Sequence, residues 1–301
     1  MYIRGDLPNP YYIQFMKNYL KLLAACAIVA GLAACEKSTP EPEETNVIIA
    51  EEEWSDTVTI SFSRMDVQTE PMKTRAATSI GDYTTHLDVW LSDGETTADY
   101  HQSSTDADYG TITAVVDKRK TYTLYAVAHK CDGDATLSDG VIAFPADKVT
   151  QSLYYQTTFS PATTTEISAE MQRIVGCFRL EITDDVPTTV KKMRFTLSGV
   201  YDRWNVTSGG THQLDRVSTI NYGGTSSIFN VYAIVTDTET THTATIEALD
   251  ANDAVVQTRV FSGVTLRNGY RTTYRGAFFI DQGFSATFTA QDWTDYDTVT
   301  F

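Results

Sequence analysis

Thr121-Tyr122-Thr123-Leu124-Tyr125-Ala126-Val127-Ala128 is the stretch whose reading decides the fold. In an extended chain Tyr122, Leu124, Ala126 and Ala128 fall on one face. Apolar residues recurring with period two among strand formers mark an antiparallel sheet with one face buried. The same alternation returns in Phe178, Leu180 and Ile182 and again in Ala244, Ile246 and Ala248. Beyond the N-terminal region, no window carries the sustained apolar stripe that a helix needs.

Outward from that core stretch, short apolar runs broken by Gly, Asp and Asn predict strands at 58–63, 87–91, 111–116, 121–129, 141–144, 153–159 and 164–170. A second set is predicted at 173–183, 191–197, 203–207, 228–235, 243–249, 255–261, 271–280, 285–290 and 298–301. Roughly 15 such strands at turn-bounded spacing make two sandwiches of about seven each. The expected domains are 54–170 and 171–301, with the divide near Glu170-Met171-Gln172. The chain's 301 residues, 42% of them hydrophobic, suffice for two such cores. No internal repeat is evident between the halves.

The first 34 residues read as a secretory signal. Lys17, Asn18 and Lys21 precede an apolar run from Leu22 to Gly31 that ends in Leu32-Ala33-Ala34-Cys35. That run is too short to cross a bilayer, which takes ~20 apolar residues. Leu-Ala-Ala-Cys has the form of a bacterial lipobox, so Cys35 is the expected lipidated N-terminus of the mature protein. Acylation with several chains anchors far more durably than one. Met16 is the expected true start, which makes Met1–Phe15 an over-extension and Arg4-Gly5-Asp6 of no consequence. Residues 35–53, with Pro40, Pro42 and a surplus of glutamate, read as an extended acidic tether.

Charge excludes one class of partner. The formal net charge is −16, and removing the signal leaves 20 basic and 38 acidic residues, net −18. Such a surface repels phosphate backbones, so nucleic acid is not an expected partner.

Catalytic chemistry is not legible, and the chain is not expected to be an enzyme. There is no G-x-S-x-G, no phosphate-cradling glycine loop and no C-x-x-C. A surface hydrolase would need paired carboxylates in a cleft, which sequence spacing does not reveal. His86, His101, His129, His212 and His242 are scattered and read as surface or strand-edge residues. Asp132-Gly133-Asp134 and Asp106-Ala107-Asp108 resemble fragments of calcium loops but lack the downstream glutamate. They read as solvated loops, and neither metal nor cofactor is expected. Cys131 and Cys177 permit a disulfide, but the bridge would span the domain divide, and two separate thiols are the better expectation. Asp56-Thr57-Val58 and Asp297-Thr298-Val299 resemble a bacterial O-glycosylation acceptor, which makes Thr57 and Thr298 candidates.

Taken together, these features resemble the fimbrillin superfamily of Bacteroidales, the lipoprotein shaft, anchor and tip subunits of surface fimbriae. The resemblance rests on the lipobox, the acidic tether and Lys73-Thr74-Arg75-Ala76 after a first strand. It rests also on residues 121–128, on Met171-Gln172-Arg173-Ile174-Val175, on Leu266-Arg267-Asn268-Gly269-Tyr270, and on Trp293 near the end. It implies two tandem transthyretin-like β-sandwich domains and a location on the outer membrane and fimbrium. It also implies a mechanism: a trypsin-like cut between Arg75 and Ala76 releases the first strand, and a neighbouring subunit's strand fills the groove. The candidate first-strand residues are Val58, Ile60 and Phe62. The candidate donor residues are Phe284, Ala286, Phe288, Val299 and Phe301, and the partners implied are other fimbrial subunits and a host protein or glycan receptor. The competing reading is a carbohydrate-binding surface lipoprotein of a glycan-uptake system, with Trp54, Trp90, Tyr201 and Trp204 as its aromatic platform.

Overall fold

Alternating side chains resolve into paired strands throughout the described part of the chain. The structure, a computed structural model, describes residues 54–64, 78–224, 227–280 and 283–290. The first half carries β1 (Ser55–Arg64), β2 (Thr78–Ser79), β3 (His86–Ser92), β4 (Thr97–Ser103), β5 (Thr111–Asp117) and β6 (Tyr122–His129). It continues with β7 (Thr136–Ser138), β8 (Val141–Ala143), β9 (Leu153–Phe159) and β10 (Glu166–Arg173). One layer runs β4-β3-β6-β9 with every neighbour antiparallel. The facing layer is β5-β1-β10. The two layers bury Ile60, Phe62, Leu87, Val89, Leu124 and Ala126 between them. At the end of β10, Gln172 and Arg173 pair with Tyr154 and Leu153 of β9 and join the layers.

The second half repeats that plan with β11 (Val175–Ile182), β12 (Lys192–Asn205), β13 (Gly209–Asn221), β14 (Ile228–Ile234), β15 (Thr240–Leu249), β16 (Val255–Leu266) and β17 (Tyr270–Gly276). Here β13-β12-β15-β16 faces β14-β11-β17. β18 (Phe284–Ala290) adds to the outer edge of β17. Phe178, Phe195, Phe229 and Ile246 fill this second core. In both halves the first strand lies between an antiparallel middle strand and a parallel late strand, β1 with β10 and β11 with β17. Period two reports which face is buried and is blind to strand direction, so these two parallel pairs could not be read from alternation. The repeat is one of topology and left no trace in residue identity.

Three further differences have physical causes. β4 and β13 lie outside the expected set, because each buries a single side chain, Gln102 and Arg216, and needs no apolar alternation. The runs 191–197 and 203–207 form one strand, β12, bent by a bulge between Leu197 and Val200 where Gly199 adopts φ +63°. β7 and β8 form a tight hairpin through Asp139-Gly140, with φ of 50° and 72°, the chemistry a two-residue primed turn requires.

That hairpin pairs with β12 of the second half, Val141–Ala143 against Arg203–Asn205. A third core lies where the halves meet and holds Trp90, Val127, Ile142, Phe144, Ile174 and Ile234. The expected divide at 170/171 falls inside β10, which runs on to Arg173 before β11 begins at Val175.

Candidate functional site

The first strand is the element on which the expected chemistry turns. β1 pairs with β5 over Ser55–Ser61 and with β10 over Thr59–Arg64. β5 and β10 do not pair with each other, so β1 alone closes the layer. Val58 and Ile60 are fully buried and Phe62 nearly so, all three within the first core. Removing β1 therefore leaves a slot one strand wide, since neighbouring strands lie ~4.8 Å apart. The slot is lined by unpaired backbone of β5 and β10 and floored by three vacated apolar sites. Burying three such side chains is worth on the order of 5–9 kcal/mol, comparable with the whole stability of a domain.

β18 is held differently. Among the described residues it pairs on one side, across Tyr270–Gly276 of β17, as the edge strand of the second half. Phe284 is half-buried and meets Phe261 edge-on at 4.8 Å, whereas Ala286 is exposed. Asp184 secures the segment leading into it by accepting from the amides of Phe278, Phe279 and Ile280 at 2.7, 2.7 and 2.9 Å. Burial opposes the charge on that carboxylate, but the three amides outweigh it and hold its pKa below the ordinary value.

Cys35, Arg75, Ala76, Thr298, Val299 and Phe301 lie outside the described residues, as does the side chain of Phe288. Thr57, the other glycosylation candidate, is exposed on β1.

The aromatic candidates separate. Trp90 is buried in the shared core and offers no platform, because β3 points it away from solvent against the second half. Trp54 is exposed and covered by Lys118 and Arg119, whose charged groups lie 5.4 and 5.0 Å from its ring. Trp204 packs against Tyr154, ring centroids 5.4 Å apart, and the pair lines a cavity of ≈ 480 Å³ with Gln156, Glu170, Gln172 and Asp237. Tyr201 packs beside them at the edge of the shared core and stands outside that cavity.

Cys131 and Cys177 are both free and buried, so no bridge joins them. The histidines are not all scattered. His86, His101 and His129, on three adjacent strands, meet around Asp88, which bonds His101 Nδ1 at 2.7 Å and His129 Nε2 at 2.8 Å. Strand register supplies that convergence, opposing Asp88 to His101 and His86 to His129, and no local motif announces it. The two calcium-like loops also diverge. Asp106 accepts from the Ser103 amide and caps its own turn, whereas Asp134 is drawn to Asp88 and His101.

No family model and no curated protein matches the chain. Among solved structures, the chain is similar to a proposed cell adhesion protein from Bacteroides ovatus, at 15% identity over 80% of this chain and 99% of that one, with a TM-score of 0.47. A proposed adhesin from the same species is similar at 10% identity over 77% and 95%, with a TM-score of 0.48. The fimbrial anchor protein Mfa2 from Porphyromonas gingivalis is similar at 11% identity over 78% and 97%, with a TM-score of 0.42.

Proposed function

We propose that this chain is a non-enzymatic subunit of a bacterial surface fimbria of the fimbrillin type, lipidated at Cys35 on its way to the outer membrane and joined to other subunits by strand exchange. The observation that carries this reading is the place of β1, hydrogen-bonded on both sides and, among the described residues, the sole link between β5 and β10. A cut between Arg75 and Ala76 falls in the connection from β1 to β2 and severs β1 from the rest of the fold. Without that covalent link β1 can leave, and the slot it empties favours an incoming strand with apolar residues at alternate positions. Phe284, Ala286, Phe288, Val299 and Phe301 supply such alternation near the C-terminus. β18, paired on one side among the described residues, costs less to detach than β1 does.

The test is to incubate the full chain with a trypsin-like protease and run electrophoresis without boiling. A ladder of stable multimers that appears only after cleavage, and is absent from Arg75→Ala, is the expected result. Monomer that persists although Arg75 has been cut would exclude strand exchange at this site. For the anchor, labelled palmitate should appear in the wild-type protein and not in Cys35→Ala.

One observation favours a second reading, a glycan-binding surface lipoprotein. Aromatic rings beside amides and carboxylates, as in the Tyr154–Trp204 cavity, suit sugar faces and hydroxyls. On a glycan array this reading expects binding that is lost in Trp204→Ala.

A further inference from the structure

We propose that Asp88, His101 and Asp134 form a binding site for a divalent transition-metal ion of the zinc class. The three donor groups lie within 4.8 Å of one another, one buried and two exposed. Donors on a tetrahedral zinc-class ion, at ~2.0–2.2 Å each, lie ~3.4 Å apart. Asp134, whose side chain is exposed, closes toward the other two as an ion enters.

The site is supported from behind. Asp88 has no exposed surface, and its Oδ2 accepts from His129 Nε2 at 2.8 Å and from the Ala135 amide at 3.0 Å. Those two donors fix the carboxylate plane and leave Oδ1 aimed outward, where His101 Nδ1 stands at 2.7 Å. The Cys131 amide meets His129 Nδ1 at 3.1 Å, so the ring is held on both sides, with Nε2 turned to Asp88 Oδ2. His86 stacks on the same ring at 5.4 Å and 6°. A carboxylate held by second-layer hydrogen bonds with one oxygen left facing a solvent-accessible imidazole is the arrangement by which proteins orient metal ligands.

The loop completes the set. Gly133, at φ +94°, turns the chain so that the Ala135 amide meets Asp88 while Asp134 stands beside it. Two carboxylates then share one small space. The hydrogen bond from His101 answers one of them, and a divalent ion bound at Nδ1 answers both, the ring then carrying its proton on Nε2. One nitrogen and two oxygens suit zinc-class ions with the remaining positions open to water, whereas calcium takes six to eight oxygens. A bound ion would clamp the 131–135 loop to β3 and β4. Another His–Asp pair, exposed His212 with buried Asp202 at 2.7 Å, has Arg203 close by at 4.0 Å in place of a second carboxylate, and serves as a control.

The experiment is equilibrium dialysis of the chelator-stripped full chain against Zn²⁺, with melting temperature followed in parallel. The expected result is an ion bound per chain that weakens about tenfold or more in both His101→Ala and Asp134→Ala. His212→Ala should bind as the wild type does. Zn²⁺ should raise the melting temperature of the wild type and not of Asp134→Ala. Both ligand positions are exposed, and unchanged circular dichroism would show that the variants fold. No stoichiometric binding, or binding that either ligand variant leaves intact, would overturn the proposal.

Discussion

Asp184 shows how far one side chain can govern an element remote in sequence. It accepts three consecutive amides from Phe278 to Ile280, and its lowered pKa follows from them. A carboxyl whose folded pKa lies below its unfolded value of ~3.9 stabilises fully above that value, and the contribution drains as pH falls through the folded one. Asp184→Ala should therefore lose about 1–3 kcal/mol at pH 7, with the gap from wild type narrowing below pH 4; urea unfolding at both pH values measures it. Cys177 is the opposite case, a thiol that burial pushes up to about 12. It should resist iodoacetamide at pH 8 in the folded chain and react once the chain is denatured, which peptide mapping reads directly. At this scale the sequence told little about Asp88. Its partners arrive from β4, β6 and a loop 47 residues downstream, and only register brings them together.

Among the elements, strands rich in apolar and β-branched residues are legible and strands built mainly of polar residues are not. Residues 153–159 were predicted to the residue, because Leu153 and Phe159 are buried at its ends within a clear apolar pattern. β13 escapes it, since Arg216 alone of Gly209–Asn221 is buried and the pairing with β12 rests on backbone hydrogen bonds. β1 was found, but its position between β5 and β10 is a long-range fact that no local pattern encodes. The pairing of β18 with β17 depends on Gly276. A Cβ there would lie 2.8 Å from the Gly283 carbonyl oxygen and 2.9 Å from the Phe284 ring. Gly276→Ala should weaken the β17–β18 pairing by about 1–3 kcal/mol, seen as faster amide exchange across Phe284–Ala290. If β18 is the donor, that variant should also form multimers more readily after cleavage.

In the whole molecule, the two sandwiches are joined by a core of their own. Trp90 from the first half and Ile234 from the second bury into it with the 131–149 segment between them. Trp90→Ala should cost about 3–5 kcal/mol. Because the cavity opens between the halves, probes placed in each should both shift; a shift confined to the first half would mean that the cores are independent. The β7–β8 hairpin adds a mechanical consequence. It leaves the first sandwich and laces its three residues into β12 of the second, so tension on one half is passed to the other through a backbone ladder as well as through the covalent link at Ile174. A single molecule stretched from its ends should resist until that lacing shears, after which the two halves extend in succession.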